Sequence, residues 1–494
     1  MQSGKALLNQ ISQAFYGADI KYQTITGKSI KRIYLDSAAS CLMLKPAFLA
    51  STQYLPHYAN THSEIHNSAI VSNQMYDWAK QTVLAFVKAD PKQYSCVFIG
   101  SGATGGINRC AQIMANIRPN KTTALVSLME HHSNDLPHRK YNKKVEHIEC
   151  EDSGINLGSV CIKDLEQKLI KHQGQVNYVA ITGASNVTGI LNPIKKISEI
   201  SHQHNALVIV DGSQMLAHAP ISLTRSQNDP TSADIDALVF SGHKMYAPGS
   251  PGVLIIKTKL LEQSQPNQMG GGIVSQVSKG HFDLIDDLQA REEAGTPNIF
   301  GAVNLAMSLN VLNRITMTEI AHHESELLKY LFTELSKIDG LSIYANQDLA
   351  KYPRTATFSF NLAGIDHALL AAILNDYFNI AVRNECFCAH PYVRELIIDQ
   401  LWELDPDLPS EQIEAKKGMV RASFGLNNTI TDAIELVNAL TQIVQNPTKY
   451  TAEYELTQSQ GYQHKTKQTD WRSLFCPDQM LNQLLSQQTD PQHS

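Results

Sequence analysis

Apolar residues fall along this chain in two rhythms. Between about Ile33 and Ile256, short runs are apolar at nearly every position: Cys96–Ile99, Thr123–Ser127, Tyr178–Thr182, Leu207–Val210, Ala237–Phe240 and Val253–Ile256. Between them lie longer stretches with helical periodicity. A strand with one wet face alternates apolar with polar residues, so unbroken runs predict strands covered on both faces of a mostly parallel sheet with helical crossovers. After about Gly301 the texture changes. A long helical stretch, Ala302–Ile338, leads into a strand-helix-strand pattern at Thr355–Phe360, Asp366–Tyr377 and Val420–Ser423. Leu7, Leu8, Ile11 and Phe15 recur at helical spacing, and from Pro447 the chain is polar except for the patch Met480–Leu485. The expectation is an α/β chain with a large parallel-sheet domain at 33–301 and a smaller α+β domain at 302–446. An N-terminal helical segment at 1–32 packs with the smaller domain, and 447–494 forms a tail, partly disordered or a loosely docked helix.

A chain of 494 residues is long enough for two domains, and 43% hydrophobic with 18% charged residues is an ordinary globular balance. The net charge of −6 and scattered basic residues give no reason to expect nucleic acid or an anionic membrane. No apolar run reaches the roughly 18 residues of a membrane span, and Met1–Gly17 has no continuous apolar stretch of the signal-peptide kind. Eight cysteines are spread too thinly for a disulfide framework, which points to a reducing cytoplasm.

The strand ends carry the chemistry. Asp211 follows the apolar run Ala206–Val210, at the edge where open α/β sheets bind ligands. Alone it reads equally as a cap or turn residue. Lys244 closes Ser241-Gly242-His243-Lys244, directly after Ala237–Phe240; alone it could be a surface lysine. Together, an acid and an amine on neighbouring strand ends meet the needs of pyridoxal phosphate (PLP). The amine takes the aldehyde and the acid keeps the pyridine nitrogen protonated. Ser101-Gly102-Ala103-Thr104-Gly105-Gly106, between a strand and a helical stripe, can cradle a phosphate on backbone N–H groups, and Ser241 and His243 could add donors. Glu130-His131-His132 ends another strand, where an imidazole can stack on a flat cofactor. A metal is the rival reading, but adjacent histidines point opposite ways and no further ligand set accompanies them.

These segments resemble class V aminotransferase-fold PLP enzymes, specifically the group II cysteine desulfurase and selenocysteine lyase family. The matching pieces, in the family's order over about 30–430, include Tyr34–Ser40, Gly102–Asn108, Glu130–Asn134, Ser185–Val187, Val210–Gln214, Ser241–Lys244, Gly270–Gly272, Glu293–Asn298 and Val420–Ser423. The resemblance implies the PLP-dependent transferase fold type I. It implies that Lys244 holds PLP, Asp211 pairs with the pyridine nitrogen, and His131 stacks on the ring. Asn186 and Gln214 would contact the phenolic oxygen, while Ala103, Thr104, Ser241 and His243 hold the phosphate. Thr296 matches a threonine that reaches the phosphate from a second subunit, which implies a homodimer. Arg421 matches the clamp for the substrate α-carboxylate, where a charged bidentate fork is suited; Asn186 and Arg383 join it as substrate-binding candidates.

In Arg383-Asn384-Glu385-Cys386-Phe387-Cys388-Ala389-His390-Pro391, Cys388 stands five residues after the arginine, as the family's nucleophile does. The interior departs: Glu385-Cys386-Phe387 replaces the usual Gly-His-His and is similar to the loop of molybdenum-cofactor sulfurases. Gly105 replaces a common glutamate, and the link from Ser40 to Pro46 is longer. The resulting expectation is a PLP-dependent desulfurase that converts L-cysteine to alanine, carries the sulfur as a persulfide on Cys388, and passes it to a protein or small acceptor. Selenocysteine lyase, molybdenum-cofactor sulfurase, another class V aminotransferase or epimerase, and a non-catalytic interaction protein are the alternatives.

Overall fold

In the computed structural model of the chain, which describes residues 3–224, 226, 228–402, 417–457, 461–467 and 470–488, each of the six apolar runs becomes a strand of one seven-stranded sheet. The strands are β1 (Tyr94–Ile99), β2 (Thr123–Ser127), β3 (Lys144–Ile148), β4 (Val176–Thr182), β5 (Leu207–Asp211), β6 (Ala237–Ser241) and β7 (Gly252–Lys257), in the order β1-β7-β6-β5-β4-β2-β3. Strands β2 to β6 are parallel to their neighbours in that set, while β7 is antiparallel to both β6 and β1. Phe98, Val179, Val210 and Phe240 fall in one hydrophobic cluster, and Val97, Tyr178, Ile209 and Val239 in another. Both faces are dry, which is why the runs do not alternate. Strand β3 is absent from the apolar runs because Lys-Val-Glu-His-Ile is an edge strand buried only at Ile148.

Four further strands, β8 (Leu341–Ile343), β9 (Thr357–Leu362), β10 (Arg383–Glu385) and β11 (Met419–Ser423), form an antiparallel sheet of order β8-β9-β11-β10. Helices His367–Phe378 and Ile430–Gln445 help to bury its own core, which contains Phe358, Phe360, Leu370, Val420 and Leu436. The helical stretch before it is two helices, Ile299–Ile315 and Met317–Leu335. They break at Thr316, whose φ is 76° and whose hydroxyl accepts from the Glu319 N–H at 3.3 Å. The small unit meets the large one through a buried strut: His218 bonds Glu324 Oε1 at 2.6 Å, and the Ala356 N–H donates to Glu324 Oε2 at 2.9 Å.

The N-terminal helix is Gly4–Ile11. Its buried Leu8 and Ile11 join the cluster that backs the large sheet, against helix Ile299–Ile315, while Phe15 lies beyond the helix and packs on Tyr246 with centroids 5.5 Å apart. Past Pro447, a hairpin of Tyr454–Leu456 and Tyr462–His464 docks on helix His367–Phe378. Tyr454 donates to Asp376 at 3.1 Å, Lys467 pairs with the same carboxylate, and Tyr450 packs edge-on to Tyr377. The apolar patch lies on helix Pro477–Gln488 with Met480, Leu481, Leu484 and Leu485 exposed; residues 458–460, 468–469 and 489–494 of the expected tail lie outside the described residues. Among the described residues, no helix is long and apolar enough to cross a membrane.

Candidate functional site

Because β7 is antiparallel to both β1 and β6, those two strands point the same way, and their carboxyl ends join those of β2, β4 and β5 at one edge. A cavity of about 360 Å³ opens there. Ala103, Thr104, His131, Asn186, Asp211, Gln214, Ser241, His243 and Lys244 all line it, brought together from stretches up to 141 residues apart in the chain. Asp211 is the last residue of β5 and is buried, its Oδ1 accepting from the Ser213 N–H at 2.9 Å. Lys244 ends the 3₁₀ turn Gly242–Lys244 that follows β6. Gln214 donates to the Ala38 carbonyl at 2.6 Å and so ties the Tyr34–Ser40 segment to this edge.

The cradle after β1 is made by Ser101 and Gly102, with φ of 61° and 62°, leading into helix Gly102–Ile117. A Cβ on Gly102 would stand 2.7 Å from Ser241 Oγ, so only glycine fits. The Ala103 N–H donates to that same oxygen at 2.8 Å, and the Thr104 and Ser133 hydroxyls are 2.8 Å apart. His243 Nδ1 lies 3.2 Å from Ser40 Oγ. His131 Nδ1 accepts from the Ser133 N–H at 3.1 Å, which places the proton of the neutral ring on Nε2.

Burial sets the charge states. It pulls the Lys244 amine below the ordinary lysine range, an effect that Arg421 adds to and that Asp211 opposes. It also lowers His131 and His243 to about 4, Lys244 contributing to both, so each ring is neutral at pH 7. Burial lifts Glu130 to about 8 against hydrogen bonds from Ser127, Asn134 and the Thr182 N–H. Glu130 thereby links the end of β2 to the end of β4 just before His131.

Beside the cavity, Arg421 on β11 is buried. It donates from Nη1 to the Asn186 carbonyl at 2.9 Å and from Nη2 to Asp36 Oδ1 at 3.1 Å. Its Nε has no partner among the described residues. Burial lowers Arg421 to about 10 with Asp36 opposing, which leaves it charged at neutral pH. Arg383 is half exposed and also reaches Asp36, at 3.2 Å. Phe387 and Cys388 form the centre of a tight turn closed by the Ala389 N–H on the Cys386 carbonyl at 2.9 Å. Both have positive φ, 52° and 55°, the arrangement of a type I′ turn built without glycine. Residues at the cavity edge hold this turn: Asn186 donates to the Phe387 carbonyl at 2.7 Å and the His132 N–H to the Cys388 carbonyl at 2.7 Å. Cys388 is exposed, and its negative form would raise both Lys244 and Arg421, so it lies within electrostatic reach of each. Cys386 is buried, its Sγ 3.0 Å from the Lys417 carbonyl.

Thr296 is not brought into this cavity within one chain. It lines a neighbouring cavity of about 630 Å³ that shares Ser101, Gly102, Thr104 and Ser250 with the first, and its hydroxyl accepts from Asn60 at 3.2 Å. The adjacent histidines diverge as expected of neighbours: His131 lines the cavity, while His132 Nε2 lies 3.0 Å from His390 Nδ1. No group of three His, Cys, Asp or Glu side chains among the described residues could hold a metal ion. Sequence reasoning gave no separate role to Asp36 or Phe387. The signal for Asp36 was a carboxylate directly after Ile33-Tyr34-Leu35; for Phe387 there was none beyond its place beside the cysteine.

The fold and this edge define a class, and sequence comparison agrees: the chain belongs to the class V aminotransferase family, whose profile matches residues 33–436. Within that class its relatives include cysteine desulfurases. The one from Shigella sonnei (strain Ss046) is 30% identical over 413 residues, 83% of this chain and 93% of the relative. The solved apo cysteine desulfurase of Thermococcus onnurineus NA1 superposes with a TM-score of 0.72 at 26% identity, covering 84% of this chain and 95% of that one. An Escherichia coli cysteine desulfurase, solved as its S-sulfonic acid, gives 0.69 at 26% identity, covering 89% and 98%. The cofactor of this family is PLP. The cavity fits it: an amine of lowered pKa for the aldehyde, a buried carboxylate for the ring nitrogen, a glycine-dependent helix N-terminus for the phosphate, and a buried Ser213 hydroxyl with no partner among the described residues.

Proposed function

We propose that the protein is a PLP-dependent cysteine desulfurase that converts L-cysteine to L-alanine and carries the sulfur on Cys388. The observation that carries this reading is a cavity lined by the Lys244 amine and the Asp211 carboxylate, whose lining residue Asn186 also holds the Cys388 turn. Bound PLP supplies an aldehyde for the substrate amine and a protonated ring that draws electrons from Cα. Lys244 would hold the cofactor and would serve as the base for the substrate Cα proton; its lowered pKa suits both roles. Asp211 keeps the ring nitrogen protonated, and neutral His131 presents its flat ring to the cofactor. Asn186 and Gln214 serve the phenolic oxygen. The Ala103 N–H, Thr104, Ser241 and His243 hold the phosphate, with Thr296 of the partner subunit. Arg421 clamps the substrate carboxylate in competition with Asp36, and Arg383 stands at the rim. The Cys388 thiolate then attacks the substrate Sγ. An S–S bond forms as the Cβ–S bond breaks, the electron pair stays on carbon and is protonated, and alanine leaves a Cys388 persulfide for a protein or small thiol acceptor.

A homodimer is part of this reading, supported by the exposed position of Thr296 and by the exposed apolar residues Ile65, Val277 and Phe282, which are 93%, 65% and 50% accessible in the single chain. A reducing cytoplasm suits a mechanism that needs a free thiol, and no disulfide joins the cysteines among the described residues.

Purified protein given PLP, L-cysteine and a reductant is expected to release alanine and sulfide in equal amounts. Cys388→Ser should stop both while the cofactor absorbance persists, and Lys244→Ala should lose the cofactor link that borohydride reduces. Normal desulfuration by the serine variant would end the persulfide mechanism. Alanine release from cysteine, selenocysteine and cysteine sulfinate side by side ranks the substrates.

A further inference from the structure

Three contacts close a ring between the carboxylate clamp and the nucleophile. Arg421 Nη1 donates to the Asn186 carbonyl at 2.9 Å, and Asn186 Nδ2 donates to the Phe387 carbonyl at 2.7 Å. The guanidinium of Arg421 lies over the Phe387 ring, 4.7 Å from its centroid. Phe387 is buried, and Cys388 is the next residue. Nothing in the chemistry of desulfuration requires an aromatic group at 387, and a bulky residue is a poor choice there on backbone grounds. Its φ of 52° lies in the left-handed region that favours glycine or asparagine. A non-glycine residue persists in such a conformation only where its surroundings hold it. Here two cavity-side donors hold the turn carbonyls and a cation holds the ring.

We propose that Phe387 is a positioning residue that couples occupancy of the Arg421 clamp to the placement of the Cys388 thiol. The inference rests on the desulfurase reading and adds to it a reason for this loop's departure from Gly-His-His. In the free enzyme Arg421 shares its guanidinium between Asp36, Asn186 and the Phe387 ring. When a substrate carboxylate takes the place of Asp36, which holds the guanidinium through Nη2, a bidentate anion fixes the guanidinium plane, and the stacked ring and the turn that carries it are fixed with it. Binding at the carboxylate end is thus converted into alignment at the sulfur end, where a displacement on the order of 1 Å is enough to change rates greatly. The two neighbouring strands make this direct: Arg383 on β10 pairs with Arg421 on β11, so clamp and turn rise from the same sheet.

The test uses holoenzyme with Phe387→Leu, which keeps bulk without a π face, and Phe387→Tyr, which restores the face. With L-cysteine as substrate, Phe387→Leu is expected to lower kcat about tenfold and raise KM several-fold, and Phe387→Tyr to recover both to within about twofold. The coupling itself is read from alkylation of Cys388 by iodoacetamide with and without saturating L-alanine, after subtracting the signal of Cys388→Ser. In the wild type and in Phe387→Tyr, L-alanine should change the alkylation rate several-fold; in Phe387→Leu the change should vanish. An equal alanine effect in the leucine variant would mean that the ligand merely blocks access, and would overturn the proposal. So would unchanged kinetics in Phe387→Leu, or a tyrosine variant as impaired as the leucine one. Absence of alanine production by the wild type would instead overturn the desulfurase reading, and this inference with it.

Discussion

His138 sits one layer behind the cavity and shows how a single ring can set acid sensitivity. It is fully buried and bonded on both nitrogens, Nε2 to Asn134 Oδ1 and Nδ1 to Tyr178 Oη, each at 3.0 Å. Asn134 gives its amide N–H to Glu130, so its oxygen faces the ring and Nε2 must be the donor. Nδ1 then accepts from Tyr178, whose oxygen already takes an N–H of Asn142, so a second proton on the ring would cost the bond from the tyrosine. Burial lowers this histidine to about 3, against roughly 6.5 in the unfolded chain. Below about pH 6.5 the unfolded state therefore binds more protons than the folded one. The stability that depends on the neutral ring is fully present above that pH and is lost as pH falls toward about 3. In urea titrations between pH 4 and 7, His138→Gln should show a shallower loss of stability with acid than the wild type, whatever its absolute stability. Equal slopes would contradict the assignment.

Among elements, the two helices around Thr316 are instructive. The unbroken periodicity of Ala302–Ile338 predicts one helix, because no glycine or proline interrupts it. The break was nonetheless written in the chain as Thr316-x-x-Glu319, the pattern of a capping threonine three residues before an acid. Thr316→Ala should cost about 1 kcal/mol by losing the hydroxyl cap. Thr316→Gly should cost less, because it also relieves the φ of 76°; denaturation midpoints give the order. The same contrast explains what else was legible. Strands buried on both faces announce themselves by composition, whereas β3 at the sheet edge and the three-residue β8 and β10 carry too few buried positions to stand out. Asp211, Lys244 and the cradle could be read because strand ends locate them. The positions of Arg421 and Cys388 beside them depend on a second sheet, and the contacts of Asp36 and Phe387 on how that sheet meets the first. No local pattern records such a meeting.

At the scale of the whole molecule, Thr296 gives the proposed dimer a direct test. Mixing Lys244→Ala subunits with Thr296→Ala subunits should yield more activity than the two variants give separately, since statistical exchange rebuilds about a quarter of all sites from one intact lysine and one intact threonine. If threonine serves its own subunit, mixing only averages the two. The larger consequence follows from the His218–Glu324 strut and the held cysteine turn. The amine follows a strand of the large sheet and the thiol turn follows a strand of the small one; the small sheet has a core of its own, while Cys386, Phe387 and Ala389 of the turn pack in the large sheet's cluster. A slight loosening of the seam leaves every helix and strand intact yet shifts Arg421 and the strand that leads into the cysteine turn, both of which stand on the small sheet. In mild urea, catalysis should therefore fade well before the far-ultraviolet circular dichroism changes, and a compound that wedges into the seam from outside would silence the enzyme without ever competing for the cofactor.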